Sequence, residues 1–112
     1  MLFLVYRKCI EMEQPKFIIT RDGMFRMGYV YLHRDLLKPG DVCYGGGFFE
    51  FDYVSNRLLL SGFSTDFGKP KWERLTVLKV PEAYRGLRII YAQWGDWEKA
   101  VDIVQQLTVE YV

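Results

Sequence analysis

The sequence predicts a single α/β (α+β) domain over residues 1–112, in which a mixed sheet of roughly six strands is flanked by two main helices. Three observations support this fold class. A chain of 112 residues can build one hydrophobic core but not two. Short apolar or alternating runs bounded by turn residues are typical of strands, and they recur along the chain. Two later segments instead carry apolar residues at helical spacing.

The first half of the chain is predicted to form mainly strands. Residues 2–7 form a continuous apolar run that is typical of a buried strand. Asp22-Gly23 separates residues 17–20 from the alternating run 25–32, and Asp-Gly between two such runs predicts a hairpin. About one helical turn is expected between His33 and Pro39.

Further strands are predicted at residues 48–53, Arg57–Ser61 and 87–92. One helix is expected between Pro70 and Pro81, and a second begins at Asp96, whose side chain can cap it. The apolar stripe of the second helix, which we expect to lie in the core, consists of Trp97, Val101, Val104, Leu107 and Tyr111.

Composition argues against several classes of partner. Half of the residues are hydrophobic and 17% are aromatic, which is typical of a folded domain. The net charge is +1 and no basic stripe is present, so we expect neither a nucleic acid nor a membrane as partner. Cys9 and Cys43 lack metal-ligand spacing, and we expect no metal and no cofactor. The N-terminal apolar run is too short to cross a bilayer, and we expect a cytoplasmic protein.

The candidate site combines a histidine with two glycine clusters. His33, the only histidine, ends the alternating run that begins at Gly28. Gly45, Gly46 and Gly47 open the next strand region, which leads to Gly62 and Gly68. We expect these stretches to meet in space, because glycines let a backbone approach a ligand and turn N–H groups toward an anion. The alternatives are an ordinary loop histidine, and glycines that mark bulges or turns.

The order of these motifs resembles the janus/ocnus family, whose characterised enzyme is the protein histidine phosphatase. The resemblance covers roughly residues 16–97. The elements that carry it appear in family order as Lys16, Gly28-Tyr29, His33, Gly45-Gly46-Gly47 and Gly62-Phe63-Ser64-Thr65-Asp66-Phe67-Gly68.

This resemblance implies that His33 is the catalytic residue. The phosphate-binding residues expected from it and from the local charges are Lys16, Arg34, Ser64, Thr65 and Asp66, with loop glycines Gly45, Gly46, Gly47, Gly62 and Gly68. The chain departs from the family pattern at three points. The segment from His33 to the glycine triplet is shorter, Asp66 replaces a small residue, and Met27 replaces an arginine, with Arg26 one residue earlier.

Two functions remain open. The first is a cofactor-free phosphatase acting on phosphohistidine or a related phosphoramidate, in a phosphorylated protein or a small molecule. His33 would be its general base or nucleophile. The second is a non-catalytic module of the same fold that binds a protein or a phosphorylated ligand. The sequence leaves the oligomeric state open.

Overall fold

The computed structural model describes residues 13–62, 67–68, 70–93 and 96–112. These residues form two sheets. Neither the predicted strand at residues 2–7 nor the segment 63–66 lies within the described ranges. The strands are β1 (Gln14–Thr20), β2 (Phe25–Val30), β3 (Cys43–Asp52), β4 (Arg57–Ser61), β5 (Val77–Val80), β6 (Arg88–Ala92), β7 (Val101–Asp102) and β8 (Thr108–Tyr111).

The main sheet has six strands in the order β2-β1-β3-β4-β6-β7. Four neighbouring pairs are antiparallel, and only β4 and β6 run parallel. The predicted hairpin at Asp22-Gly23 is confirmed, because β1 and β2 pair across it. Gly23 has a φ of 85° there, a conformation that glycine adopts without a steric cost. The smaller sheet is a parallel pair of β5 and β8.

The prediction of an α/β domain with two main helices is wrong, because the described chain is rich in β-strands. Every helical segment in the described ranges is a 3₁₀ turn of three or four residues. The first predicted helix is replaced by the turn Trp72–Arg74 and strand β5. The second is replaced by turns at Trp97–Lys99 and Ile103–Gln105 with strands β7 and β8. Both segments contain β-branched residues, which favour strands over helices.

The predicted core stripe of the second helix is wrong for three of its five residues. Trp97, Val101 and Val104 are 43%, 36% and 54% exposed, respectively. Leu107 of the stripe does lie in the core, and Tyr111 packs against it. Ile103, which the stripe omitted, is fully buried. None of the helices in the described part of the chain is long and apolar enough to cross a membrane.

The hydrophobic core lies on one face of the main sheet. Phe17 and Ile19 of β1 contribute to it, and Leu78 and Val80 of the small sheet belong to the same cluster. The other core residues from the main sheet are Phe25, Phe49, Leu58, Leu60, Ile89 and Tyr91. Side chains alternate along a strand, so Lys16, Ile18 and Thr20 point to the opposite face. They are buried as well, and this opposite face carries the candidate site.

Candidate functional site

His33 begins a 3₁₀ turn, His33–Leu36, that follows strand β2. Asp35 stabilises the start of this turn, since its carboxylate accepts a hydrogen bond from the Leu32 N–H at 3.0 Å. The Asp35 N–H in turn donates to the Leu32 carbonyl. The single helical turn expected after His33 is therefore present as a 3₁₀ turn, and Lys38-Pro39-Gly40 separates it from β3.

The His33 side chain is held against the backbone of β3. Its Nε2 donates a hydrogen bond to the Gly47 carbonyl oxygen at 2.8 Å, and its ring meets the Phe48 ring edge-on with centroids 5.4 Å apart. The residue is only 6% exposed. The expected meeting of the histidine run with the glycine triplet is confirmed by this contact. Because Nε2 carries the proton, a neutral ring has its lone pair on Nδ1.

Gly46 allows this close approach of the His33 ring, and Gly47 allows the close approach of the neighbouring strands to β3. A Cβ at Gly46 would lie 2.6 Å from the Phe17 carbonyl oxygen and 3.0 Å from the His33 Cδ2. A Cβ at Gly47 would lie 2.3 Å from the Ser61 carbonyl oxygen. Any larger residue at these two positions would force the histidine or the neighbouring strands to move.

Gly62 and Gly68 also lie against β3. The Gly46 N–H donates to the Gly68 carbonyl oxygen at 3.2 Å. Gly62 has a φ of 77°, and a Cβ there would lie 3.0 Å from the Phe48 ring. Gly62 and Gly68 are thus both next to the strand that holds His33. The Gly46 N–H therefore donates to a carbonyl of the protein itself. The sequence had instead predicted that such N–H groups point toward a bound anion.

Lys16 lies on the same face as His33 and is 5% exposed. Its Cα neighbours across the sheet are Gly28 and Phe48. The Nζ donates to the carbonyl oxygens of Val30 at 2.7 Å and Tyr31 at 2.8 Å, just before His33 in the chain. Burial lowers the pKa of the Lys16 ammonium, and the Asp35 carboxylate opposes this effect. Lys16 is therefore a buried central-strand cation with two of its three N–H donors engaged.

The remaining predicted phosphate-binding residues are only partly described. Arg34 follows His33 in the turn and is exposed. Ser64, Thr65 and Asp66 lie outside the described residues, so their placement relative to His33 stays a prediction. The structure brings together Lys16, His33, the glycine triplet, Gly62 and Gly68.

Sequence reasoning missed the role of Arg26. Its guanidinium forms an ion pair with Asp41 and donates to the Leu36 carbonyl oxygen at 3.3 Å. A signal for this role is present in the sequence. Arg26 alternates with the apolar residues Phe25 and Met27, and Asp41 directly follows the Pro39-Gly40 break.

Comparison of the chain with protein-family models, with curated proteins and with solved structures finds no match.

Proposed function

We propose that this protein is a cofactor-free phosphatase-like hydrolase acting on phosphohistidine or a related phosphoramidate. The observation that carries the proposal is the fixed imidazole of His33, whose Nε2 is bonded to the Gly47 carbonyl at 2.8 Å. That bond directs the basic lone pair of the neutral ring to Nδ1. His33 is also the only histidine in the chain, so no other imidazole can substitute for it.

The chemistry would use Nδ1 in one of two ways. It would accept a proton from a water that attacks phosphorus, or it would attack phosphorus itself and form a phosphohistidine that water then hydrolyses. In both routes the P–N bond of the substrate breaks, and the leaving nitrogen takes a proton. Phosphoryl transfer depends mainly on positioning and on neutralising charge. Lys16 and Arg34 would contribute positive charge near the ring.

A non-catalytic binding module is the second candidate, and specific observations favour it. His33 is nearly buried, and the Gly46 N–H already donates to the Gly68 carbonyl. The Lys16 ammonium is similarly bonded to two carbonyls. A module with these groups engaged would keep the fold and bind a protein or a phosphorylated ligand without turnover.

Hydrolysis of a phosphohistidine peptide by the wild type, His33→Ala and His33→Gln tests the proposal. We expect the wild type to release phosphate in the presence of a metal chelator, and both variants to lose nearly all activity. The glutamine amide nitrogen overlays the position of Nε2 and can still donate to the Gly47 carbonyl, so His33→Gln controls for loss of structure. Equal activity in wild type and variants would refute the enzymatic function. A wild type that binds phosphate or the peptide without hydrolysis would support the binding module.

A further inference from the structure

Arg26 and Asp41 form an ion pair on the face of the main sheet that carries His33. Arg26 lies on β2 opposite Ile18, whose side chain points to this face. Its Nη1 and Nη2 face different oxygens of the Asp41 carboxylate, with Nη2 at 3.4 Å from Oδ1. The two side chains are 17% and 18% exposed, so solvent and salt screen the pair less than they screen a surface pair.

The same guanidinium also contacts the turn that carries the histidine. Nη1 donates to the carbonyl oxygen of Leu36, the last residue of that turn, at 3.3 Å. Asp41 Oδ2 in addition accepts a hydrogen bond from the Lys38 N–H at 2.6 Å. Arg26 therefore holds the chain on both sides of Pro39-Gly40.

Packing supports this attachment. A Cβ at Gly28 would lie 3.1 Å from the Leu36 Cδ2, so Leu36 packs directly on the backbone of β2. Upstream of the turn, Lys16 binds the carbonyls of Val30 and Tyr31. His33 lies between these two points of attachment, and its ring reaches across to Gly47.

We propose that Arg26, acting with Asp41, is a positioning residue for His33. It holds the His33–Leu36 turn against the sheet and thereby keeps Nε2 bonded to the Gly47 carbonyl. The consequence for catalysis rests on the phosphatase function proposed above, whereas the consequence for the imidazole does not.

The electrostatics of the pair fit this role. The hydrogen bond from Arg26, followed by that from the Lys38 N–H, lowers the pKa of Asp41 below its usual value. Asp41 therefore stays ionised at neutral pH. The planar guanidinium of arginine can donate to the Asp41 carboxylate and to the Leu36 carbonyl at the same time. A lysine ammonium reproduces this arrangement less well.

The test uses NMR of the His33 ring nitrogens, which are the only imidazole signals of this chain. Arg26→Met removes the guanidinium and keeps an unbranched apolar side chain. Arg57→Met is the matched control, since Arg57 pairs with Asp52 at 3.0 Å near the other end of β3. At a pH where the ring is neutral, we expect distinct protonated Nε2 and unprotonated Nδ1 signals in the wild type and in Arg57→Met. In Arg26→Met the two signals should move toward a common average, and ring signals identical to those of the wild type would overturn the proposal.

Two milder variants keep the test decisive if Arg26→Met fails to fold. Arg26→Lys and Asp41→Asn should each shift the ring signals in the same direction by a smaller amount, and wild-type signals in both would also overturn the proposal. In the hydrolysis assay, Arg26→Lys should lower kcat, by up to about 10²-fold if the ring moves by about 1 Å. If the wild type does not hydrolyse the peptide, the proposed function is refuted, and the NMR result still decides the positioning role. Active wild type with unmoved ring signals in the variants would defeat only the positioning role.

Discussion

The Nε2 of His33 donates its hydrogen bond to a strand carbonyl, that of Gly47, across 2.8 Å. The single imidazole of the chain is therefore fixed by the backbone of the sheet. This contact requires a residue without a side chain beside it, because a Cβ at Gly46 would lie 3.0 Å from the His33 ring. The glycine triplet and the histidine are thus parts of one packing arrangement.

The first prediction compares two glycine substitutions on this face. Gly46→Ala should destabilise the protein by about 1–3 kcal/mol, because the new methyl group would lie 2.6 Å from the Phe17 carbonyl oxygen. It should also displace the His33 ring. The new methyl group of Gly28→Ala would lie 3.1 Å from the end of the flexible Leu36 side chain and 3.8 Å from Val30 Cγ1, so stability should change by less than about 1 kcal/mol. Urea unfolding with NMR of His33 measures both effects.

Equal stabilities of the two alanine variants would show that β3 relaxes away from Phe17. If the His33 signals of Gly46→Ala were identical to those of the wild type, the glycine triplet would not determine the position of the ring.

The second prediction concerns the buried charge of Lys16. Burial lowers the pKa of Lys16 in the folded protein below its ordinary value of 10.5. Between these two pKa values the unfolded chain binds more protons than the folded protein. Stability of the wild type should therefore rise relative to that of Lys16→Met as pH increases through this window. Urea unfolding of both proteins from pH 7 to pH 10.5 gives the difference directly. If the free energy of unfolding of the wild type instead fell relative to that of Lys16→Met as pH rises, the surroundings would stabilise the charged ammonium, which contradicts the prediction.

The third prediction concerns acid stability of the β3–β4 hairpin. Hydrogen bonds from Ser55 and then Arg57 lower the pKa of Asp52 from 3.8 to about 2. This group contributes stability above pH 3.8, and the contribution is lost as pH falls toward about 2. The advantage of wild type over Asp52→Asn should therefore shrink between these two pH values. NMR titration of the Asp52 carboxyl should also show a higher midpoint in Ser55→Ala, and an unchanged midpoint would contradict the assigned cause.

Local signals in the sequence identified the elements whose geometry they determine. Asp22-Gly23 predicted the β1–β2 hairpin because its turn requires a positive φ that glycine adopts without strain. The two clusters expected to meet, His33 and the glycine triplet, are in contact. The Arg26–Asp41 pair was not predicted, because the alternation of Arg26 with Phe25 and Met27 indicates its face of the strand but not its long-range partner.

The helix predictions failed because 3₁₀ turns imitate helical spacing. Trp72 and Leu75 are buried at a spacing of three residues, which a 3₁₀ turn satisfies, and Leu78 then continues the pattern as an inward residue of β5. In the second segment, the two-residue strand β7 and the turn at Ile103–Gln105 change the direction of the side chains within a few residues. Helical periodicity therefore assigned Val104 to the core in place of Ile103.

The last prediction tests this corrected arrangement. Ile103 is fully buried, whereas its neighbour Val104 is 54% exposed. Ile103→Ala should cost about 2–5 kcal/mol, since it removes buried methyl groups and leaves a cavity. Val104→Ala should stay within about 0.5 kcal/mol of the wild type. Chemical denaturation of both variants measures the two values. A helix with its stripe in the core would make Val104→Ala the more destabilising of the two substitutions. A larger loss of stability for Val104→Ala would therefore support the helix originally predicted for this segment.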